Sequence, residues 1–348
     1  AVMSRLLAAL LAALILLVVA EDRLKQHRRA ERRVAGALRP FVQLPAEQVE
    51  QFEIRLSGRS WTYVRRDGLW RYPALFDAFA RVDRVDRLLN GLLSSQCTAV
   101  SSEPGDLAGA GLVPTQALTI GLRDKRGMLL QEMRIGRGIP APGSGESYVQ
   151  RVGNDTIFHL HANPRLALAG GAPPMIDPHV LPQGLERGQI VDIRFVGKSD
   201  SPLKSLRRVE TTPGRPDLPG MPPQGPTYEW IGTFAGEEKS CVSGSAFEYV
   251  GFLGRLRYQN LHSPDVFNSG ETERALYLHD DQGRIDTLDV GEATVDGNVL
   301  LRHRAAGLVM SLMAEKGALL FPTANALLDS LPRPSPYELA EPRNASLF

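Results

Sequence analysis

Two histidines two positions apart, His159 and His161, are the residues whose types and spacing come closest to a reactive site. Alternate residues of a β-strand point to the same face, so these two imidazoles would share one face of a strand. Imidazole is a common metal ligand, but a protein metal site needs further ligands, and none stands near this pair in the sequence. We therefore assign no metal-binding residue.

A second pattern, Ser201-Pro-Leu-Lys204, matches the Ser-x-x-Lys signature of serine acyl-enzymes. It lies in a proline-containing turn without the Ser-Asp-Asn and Lys-Thr-Gly companions, so chance explains it best. The Gly-rich stretch 136–145 has neither a Gly-Lys-Ser/Thr ending nor dinucleotide-binding spacing, and we interpret it as a flexible hairpin loop. We predict that the protein is not an enzyme, and we assign no catalytic or cofactor-binding residue and no small-molecule substrate.

The charge of the whole chain is balanced, with 40 Lys and Arg against 39 Asp and Glu. Because such a chain has no net field to attract a polyanion, we predict no nucleic-acid partner. A length of 348 residues with 43% hydrophobic residues allows about two domains with sizeable cores. The two cysteines, Cys97 and Cys241, either pair in an oxidising compartment or are two buried apolar thiols.

Residues 6–20 are uninterrupted apolar sequence preceded by Arg5. As a helix they would span about 22 Å, which is typical of a signal-peptide core and short of a hydrocarbon core of about 30 Å. We predict a retained single-pass transmembrane anchor over residues 1–20, extended by flanking arginines, and a basic juxtamembrane helix or stalk over residues 21–46. Membrane lipid is therefore one predicted partner.

The two flanks of this anchor give opposite indications of its orientation. Residues 21–33 carry six Lys and Arg, against Arg5 alone on the other side, and the positive-inside rule would keep the large C-terminal part in the cytoplasm. A signal-like N-terminus would instead place it outside. We predict an inner-membrane protein whose soluble part is periplasmic, with the cytoplasmic side as the alternative.

A β-hairpin that occurs twice organises the rest of the chain. Its first copy covers residues 118–124 and 127–136, and its second covers 276–280 and 283–291. Each copy is an alternating strand, a polar turn ending in Gly, and a second alternating strand closed by Gly. The turn residues are explained by backbone geometry alone, and they are Asp124, Gly127, Asp280 and Gly283.

Similar elements surround both copies of this hairpin. Helical spacing of apolar residues predicts a helix over 79–93, and a capping box at Ser245 and Glu248 predicts a helix through 261. The residues expected to face inward are Val82, Val85, Leu88, Leu89 and Leu92 in the first helix, and Phe247, Val250, Leu253 and Leu256 in the second. Further hairpins are predicted within 61–72, 148–160 and 299–312, and a closing helix over 319–331.

The fold class predicted from these elements is α+β, with two tandem repeats that each combine an antiparallel sheet of hairpins with one packed helix. The first repeat is 47–165, a Gly/Pro linker is 166–188, and the second repeat is 189–332 with a Pro-rich insertion at 213–226. Residues 333–348 have no periodic face and are predicted to form an extended tail.

The order of motifs resembles a bacterial family of domains of unknown function, often encoded near ABC-type exporters and gliding-motility auxiliary proteins. The residues that carry this resemblance are Val49, Phe52 and Ile54 of the opening strand, Asp67, Gly68, Trp70 and Pro73, the sequence Gly111-Leu-Val-Pro114, Gly136 and Tyr148. The resemblance covers most of residues 1–165 and, more weakly, the second half. It implies a membrane-tethered extracytoplasmic protein and transfers no catalytic residue.

These features together predict a non-catalytic, membrane-anchored scaffold or accessory subunit of a larger membrane complex, in transport or in energy transduction such as respiration or photosynthesis. Other subunits of that complex are then its protein partners. The alternative is an extracytoplasmic glycan- or peptide-binding module auxiliary to an exporter, using Trp61, Tyr63, Trp70 and Tyr72 if strand alternation exposes them. Function is expected at surfaces that differ between the repeats, namely the stalk, the proline insertion and the tail.

Overall fold

The computed structural model describes residues 38–139, 145–168, 174–182, 189–197, 203–212, 227–267 and 274–328. The predicted anchor, residues 21–37 of the predicted stalk, the proline insertion 213–226 and the tail 333–348 lie outside these residues. Within them, the longest α-helix has 13 residues, and none is long and apolar enough to cross a membrane. The chain forms two compact units, the first of residues 1–65 and 83–175 and the second of residues 66–82 and 176–348.

Nineteen strands and five α-helices make up the described part of the chain. The strands are β1 (Arg39–Pro40), β2 (Gln51–Leu56), β3 (Arg59–Arg66), β4 (Leu69–Tyr72), β5 (Ala78–Phe79), β6 (Gln96–Ser101), β7 (Leu118–Arg123), β8 (Leu129–Gly138), β9 (Ser147–Arg151), β10 (Ile157–Leu160), β11 (Ile190–Gly197), β12 (Leu203–Thr212), β13 (Thr227–Phe234), β14 (Glu237–Ser240), β15 (Asn260–His262), β16 (Arg274–Asp280), β17 (Ile285–Ala293), β18 (Val299–His303) and β19 (Leu308–Leu312). The helices are α1 (Val82–Leu93), α2 (Asp106–Gly109), α3 (Ser243–Arg255), α4 (Ala314–Ala318) and α5 (Ala324–Leu328).

The two sheets have the same strand order. In the first unit the order is β1-β6-β10-β9-β8-β7-β2-β3, and in the second it is β14-β13-β12-β11-β16-β17-β18-β19-β15. When β6, β10, β9, β8, β7, β2 and β3 are matched to β15, β19, β18, β17, β16, β11 and β12, the neighbours agree at every step. The predicted α+β class with two antiparallel sheets is confirmed, and the shared order is consistent with two repeats.

The repeated hairpin has the same turn in both copies. One carboxylate oxygen of Asp124 accepts the backbone N–H groups of residues 126 and 128, and the corresponding oxygen of Asp280 accepts those of residues 282 and 284, all at 2.8–3.0 Å. The glycine of each turn has a positive φ, +78° at Gly127 and +81° at Gly283, which a residue with a Cβ rarely adopts. Turn geometry therefore accounts for all four residues.

The glycine that closes each copy of the hairpin is required by close packing and not by its backbone conformation. A Cβ added to Gly136 would overlap the backbone carbonyl oxygen of Ala110, which accepts the Arg137 N–H at 3.0 Å. A Cβ at the matching Gly291 would meet the Phe267 ring at 3.0 Å. Both glycines allow a neighbouring segment to approach the sheet closely, and the approach is closer in the first unit.

The first predicted helix is confirmed in its main part as α1, which buries Val85, Leu88, Leu89 and Leu92. The prediction for the second helix was wrong at both ends, because α3 covers Ser243–Arg255, and its N-cap, Val242, makes no side-chain cap hydrogen bond. Its inward face was also wrong in part, since Phe247 is 69% exposed. The predicted closing helix 319–331 is replaced, within the described residues, by α4 and α5, with Pro322 between them.

Residues 66–82, which the sequence places inside the first repeat, belong to the second unit. Strand β5 supplies Ala78 and Phe79, both at most 3% exposed, to the hydrophobic core of that unit. The Phe79 ring lies 5.5 Å from the His303 ring in an edge-on arrangement, and the Arg71 guanidinium lies 3.8 Å from the centre of the Phe79 ring. The core of the second unit therefore includes a hairpin from the first half of the chain.

Candidate functional site

A cleft of about 760 Å³ lies between α3 and the sheet of the second unit. We call it the second-repeat cleft. Ile190 of β11, Arg208 of β12 and the aromatic residues Tyr228 and Trp230 of β13 line its sheet side. Trp230 is nearly buried, whereas Tyr228 is 43% exposed, so the cleft has an apolar floor and an accessible aromatic rim.

The helix side of the cleft is a stripe of small residues with one exposed aromatic ring. Gly244, Phe247, Gly251 and Gly254 follow one another at spacings of three and four residues, which places them on one face of α3. A Cβ added to Gly244 or Gly254 would meet nothing within 4 Å. The missing side chains of these two glycines leave the space, and Phe247 borders it. At Gly251 a Cβ would instead meet the Arg255 guanidinium at 3.1 Å.

Arg208 is the cationic group of the cleft. Its guanidinium lies 4.4 Å from the centre of the Tyr228 ring, and Nη1 donates to Gln189 Oε1 at 2.8 Å. The carboxylate of Asp281 forms an ion pair with Arg208 at 3.7 Å from Nη2, a distance too long for a direct hydrogen bond. The side chain is 17% exposed, so the charge lies at the wall of the cleft and not in open solvent.

Helix α1 of the first repeat can be aligned with α3, which shows the residues that α1 carries at the positions lining the cleft in α3. The N–H of Ala80 donates to the Trp70 carbonyl and that of Cys241 to the Trp230 carbonyl, both at 2.8 Å, and each helix begins two residues later. The pairs brought together by this register are buried in both copies, namely Val85 with Ala246, Leu88 with Tyr249, and Leu92 with Leu253. The same register matches Asp83, Asp86, Asn90 and Leu93 of α1 to Gly244, Phe247, Gly251 and Gly254 of α3.

The arginine of the cleft is shared by both repeats, but its acidic counterpart is not. Leu122 of the first hairpin and Leu278 of the second match, and their strand neighbours are Phe52 and Ile193. Phe52 pairs in turn with Tyr63 of β3, and Ile193 pairs with Leu206 of β12. Tyr63 therefore matches Leu206, and two residues later in each strand Arg65 matches Arg208. In the first repeat, burial raises the pKa of Asp86 and the positive charge of Arg65 opposes that rise. In the second repeat the arginine remains and the acid is replaced by Phe247.

The histidine pair forms a second cluster, in the first unit. His159 Nε2 lies 2.8 Å from one carboxylate oxygen of Glu146, His161 Nδ1 lies 3.0 Å from the other, and the two rings stack at 5.0 Å. Among the described residues, no group of three His, Cys, Asp or Glu is arranged to hold a metal ion. In this cluster, the carboxylate already bonds both imidazoles.

Sequence reasoning missed Glu146, although the register of the β9–β10 hairpin contained the signal. Ser147 pairs with Leu160, so the residue before Ser147 stands opposite the residue after Leu160, which is His161. The turn at Gly153 fixes this register, since its φ is +83°. Extending the hairpin by one pair would have placed the carboxylate beside the histidines.

We expect the Glu146→Gln variant to lose stability at neutral pH but not in acid. Hydrogen bonding, first from His159 and then from His161, holds the pKa of Glu146 below its usual range. A carboxyl with a lowered pKa in the folded state stabilises the fold above its unfolded-state pKa, about 4.3, and loses that contribution as the pH falls through the folded-state value. The thermal midpoints of the wild type and of Glu146→Gln should be measured between pH 3 and 8, at steps of about one pH unit. The two curves should differ at neutral pH and converge in acid.

Glu103→Gln, which removes a carboxylate elsewhere on the same unit, is the matched control for this series. A constant difference between wild type and Glu146→Gln down to the lowest pH would show that the carboxylate contributes through packing and not through its charge.

The other residues considered as sites occupy structural positions or lie outside the described part. Ser201 is outside it, and Lys204 is an exposed residue of β12. Tyr63 is fully buried and stacks on Phe52, and Trp61 and Trp70 are at most 9% exposed. The aromatic surface on which the glycan- or peptide-binding alternative was based is therefore not formed by these three rings.

The two cysteines are free and buried. Burial raises the pKa of both thiols, Cys97 and Cys241, which keeps them protonated and weakly nucleophilic. Of the two readings left open by the sequence, the structure shows the buried thiols.

A charged network on the neighbouring strands β16, β17 and β18 of the second unit has a structural role. Asp289 is fully buried, and its carboxylate accepts hydrogen bonds from the guanidinium groups of Arg302 and Arg304. Arg304 also donates to the Tyr277 hydroxyl at 3.4 Å. In the first unit the corresponding pair across β8 and β9 is Arg134 and Gln150, 3.4 Å apart and without a carboxylate.

Comparison with known proteins supports one part of the resemblance noted in the sequence, a family of domains of unknown function. The profile of a family described as "Domain of unknown function (DUF4340)" matches residues 70–221, somewhat less than half of the chain. This match supports an unknown-function domain family. No curated protein and no solved structure matches the chain.

Proposed function

We propose that the protein is a non-catalytic, membrane-anchored accessory subunit that stabilises a larger membrane protein complex, and that it holds a partner subunit in the second-repeat cleft. The observation that carries the proposal is the difference between the repeats. The first repeat carries three polar side chains and a leucine at the helix positions where the second repeat has three glycines and Phe247. The glycines of the second repeat leave open space at helix positions where the first repeat carries larger side chains, and a partner subunit would fill that space.

The composition of the cleft supports a protein partner. Aromatic residues and arginine are enriched where partner side chains anchor, and the cleft combines Tyr228, Trp230, Phe247 and Arg208. Phe247 is 69% exposed in the chain alone, and an aromatic side chain gains free energy when a partner covers it. The apolar residues 6–20 support anchorage in the inner membrane, and their likeness to a signal-peptide core supports a periplasmic soluble part.

Gentle solubilisation of the native membrane and affinity purification of the tagged full chain test this proposal. We expect other subunits to migrate with the chain, and the family resemblance makes an export system the first place to look for them. Phe247→Ser should reduce their recovery, whereas Val295→Ser, a matched change at an exposed residue outside the cleft, should not. Migration of the full chain alone as a monomer would overturn the proposal.

A further inference from the structure

We infer that the second-repeat cleft recognises a carboxylate attached to an apolar group on the partner subunit, that is, an acidic residue flanked by apolar side chains. Arg208 would bind the carboxylate, and the aromatic and aliphatic residues of the cleft would bind the apolar part. This inference rests on the proposed function and names the chemistry of the partner segment.

The first repeat is the internal precedent for this recognition. There the helix itself supplies Asp86, at the position that matches Phe247, and β3 supplies Arg65, at the position that matches Arg208. In the second repeat the matching arginine, Arg208, is retained, and the helix supplies Phe247 and an open volume of about 760 Å³ instead. A partner's carboxylate entering this volume would supply, in the second repeat, the negative charge that Asp86 supplies in the first.

The present partners of Arg208 leave room for a carboxylate. One guanidinium nitrogen is engaged by Gln189 at 2.8 Å, while the other is 3.7 Å from Asp281. A planar guanidinium binds a carboxylate through two parallel N–H donors, and such charge-assisted hydrogen bonds are about twice as strong as neutral ones. The Tyr228 ring, whose centre lies 4.4 Å from the guanidinium carbon, supports Arg208 through a cation–π contact.

The polarity of α3 adds to the same preference. The first turn of α1 carries the acidic residue Asp83, whereas the first turn of α3 carries none and its N-cap makes no side-chain hydrogen bond. Ser243 and Gly244, at this end of the helix, line the cleft. The positive end of the helix dipole therefore faces the same space as Arg208 and favours an anion there.

The other residues that line the cleft favour an apolar group next to the bound carboxylate. Trp230, Ile190 and Val250 form apolar wall, and Gly254 stands where the first repeat has Leu93. A cleft of this size is within the range of about 300–1,000 Å³ that is typical of pockets for compact ligands, and it suits one or two large side chains. A free acidic side chain without an apolar neighbour would leave the walls uncovered.

Three small probes that share a naphthylmethyl group and carry an anionic, a neutral or a cationic headgroup test the chemistry on the purified full chain. They are 1-naphthaleneacetate, its neutral amide and 1-naphthalenemethylammonium, with binding measured by titration in ligand-observed NMR. We expect the acid to bind at least about tenfold more tightly than the amide, because a hydrogen bond to a charged group contributes on this scale, and the cation to bind most weakly. Arg208→Gln should remove the preference for the acid.

Two substitutions on the helix complete the test without disturbing the core. Phe247→Asp installs the residue of the first repeat and should abolish binding of the acid, because its carboxylate occupies Arg208, while the isosteric control Phe247→Asn should retain the preference. Gly254→Leu should block all three probes by filling the space. Equal binding of acid and amide, or a preference that survives Arg208→Gln, would overturn the inference.

The same variants in the native membrane separate this inference from the proposed function. If subunits still migrate with the chain but are unaffected by Arg208→Gln and Phe247→Asp, the accessory role stands and the acidic partner segment is wrong. If the chain migrates alone and yet prefers the acid probe, the cleft takes a small carboxylic acid, and both the partner segment and the accessory role are wrong.

Discussion

Replacing Asp289 with alanine is expected to lower the free energy of unfolding by about 3 kcal/mol, because it leaves two arginines of a buried ion network without their shared carboxylate. Asp289 is fully buried, while the side chains of Arg302 and Arg304 are 23% and 47% exposed. Their partial exposure to water keeps the expected loss at the lower end of the range for breaking a buried pair. Chemical denaturation of the full chain, followed by circular dichroism, measures it.

The first repeat offers a matched control for this variant. Gln150→Ala breaks the corresponding contact to Arg134, which involves a neutral acceptor at 3.4 Å, and should cost only about 1 kcal/mol. If Asp289→Ala cost no more than Gln150→Ala, the two arginines would be sufficiently solvated without the carboxylate, and the network would contribute little to stability.

Gly136→Ala is expected to destabilise the first unit by about 3 kcal/mol, at the upper end of the range for overpacking. The added Cβ would overlap the carbonyl oxygen of Ala110, and backbone that is itself hydrogen-bonded cannot move aside as a side chain can. Thermal unfolding of the full chain should show a lower midpoint for the first unit.

Two other glycines calibrate this expectation. Gly291→Ala meets the edge of the Phe267 ring at 3.0 Å and should cost about 1 kcal/mol, because a ring can shift by a few tenths of an ångström. Gly121→Ala, in β7, meets its nearest atom at 3.6 Å and should be close to neutral. A loss at Gly136 no larger than at Gly121 would mean that the segment around Ala110 is free to move away from the sheet.

The duplicated sheets were predictable from the sequence, because local signals decide them. Alternation of apolar residues, an Asp that caps a turn and a Gly with positive φ act within about ten residues, and they fixed both copies of the repeated hairpin. The buried face of α1 was predictable in the same way, since its buried residues recur at helical spacing within the helix itself.

The cleft was not predictable, because tertiary packing set the phase of α3. Apolar spacing placed Phe247 inward, but Ala246, Tyr249 and Leu253 occupy the buried face and turn Phe247 outward. The three glycines read as weak helix formers in the sequence, and their meaning becomes clear only when the helix is aligned with α1. Glu146 was missed for a related reason, since the contact depends on a strand pairing rather than on spacing along the chain.

The assignment of residues 66–82 to the second unit has a consequence for how the protein is made. The ribosome synthesises this hairpin long before residues 190–328. Ala78 and Phe79 therefore stay unburied until most of the core that encloses them has been made. A fragment starting at residue 176 would lack both side chains and expose the core they fill. We therefore expect the C-terminal half expressed alone to aggregate, and to become soluble when a peptide of residues 66–82 is supplied during refolding.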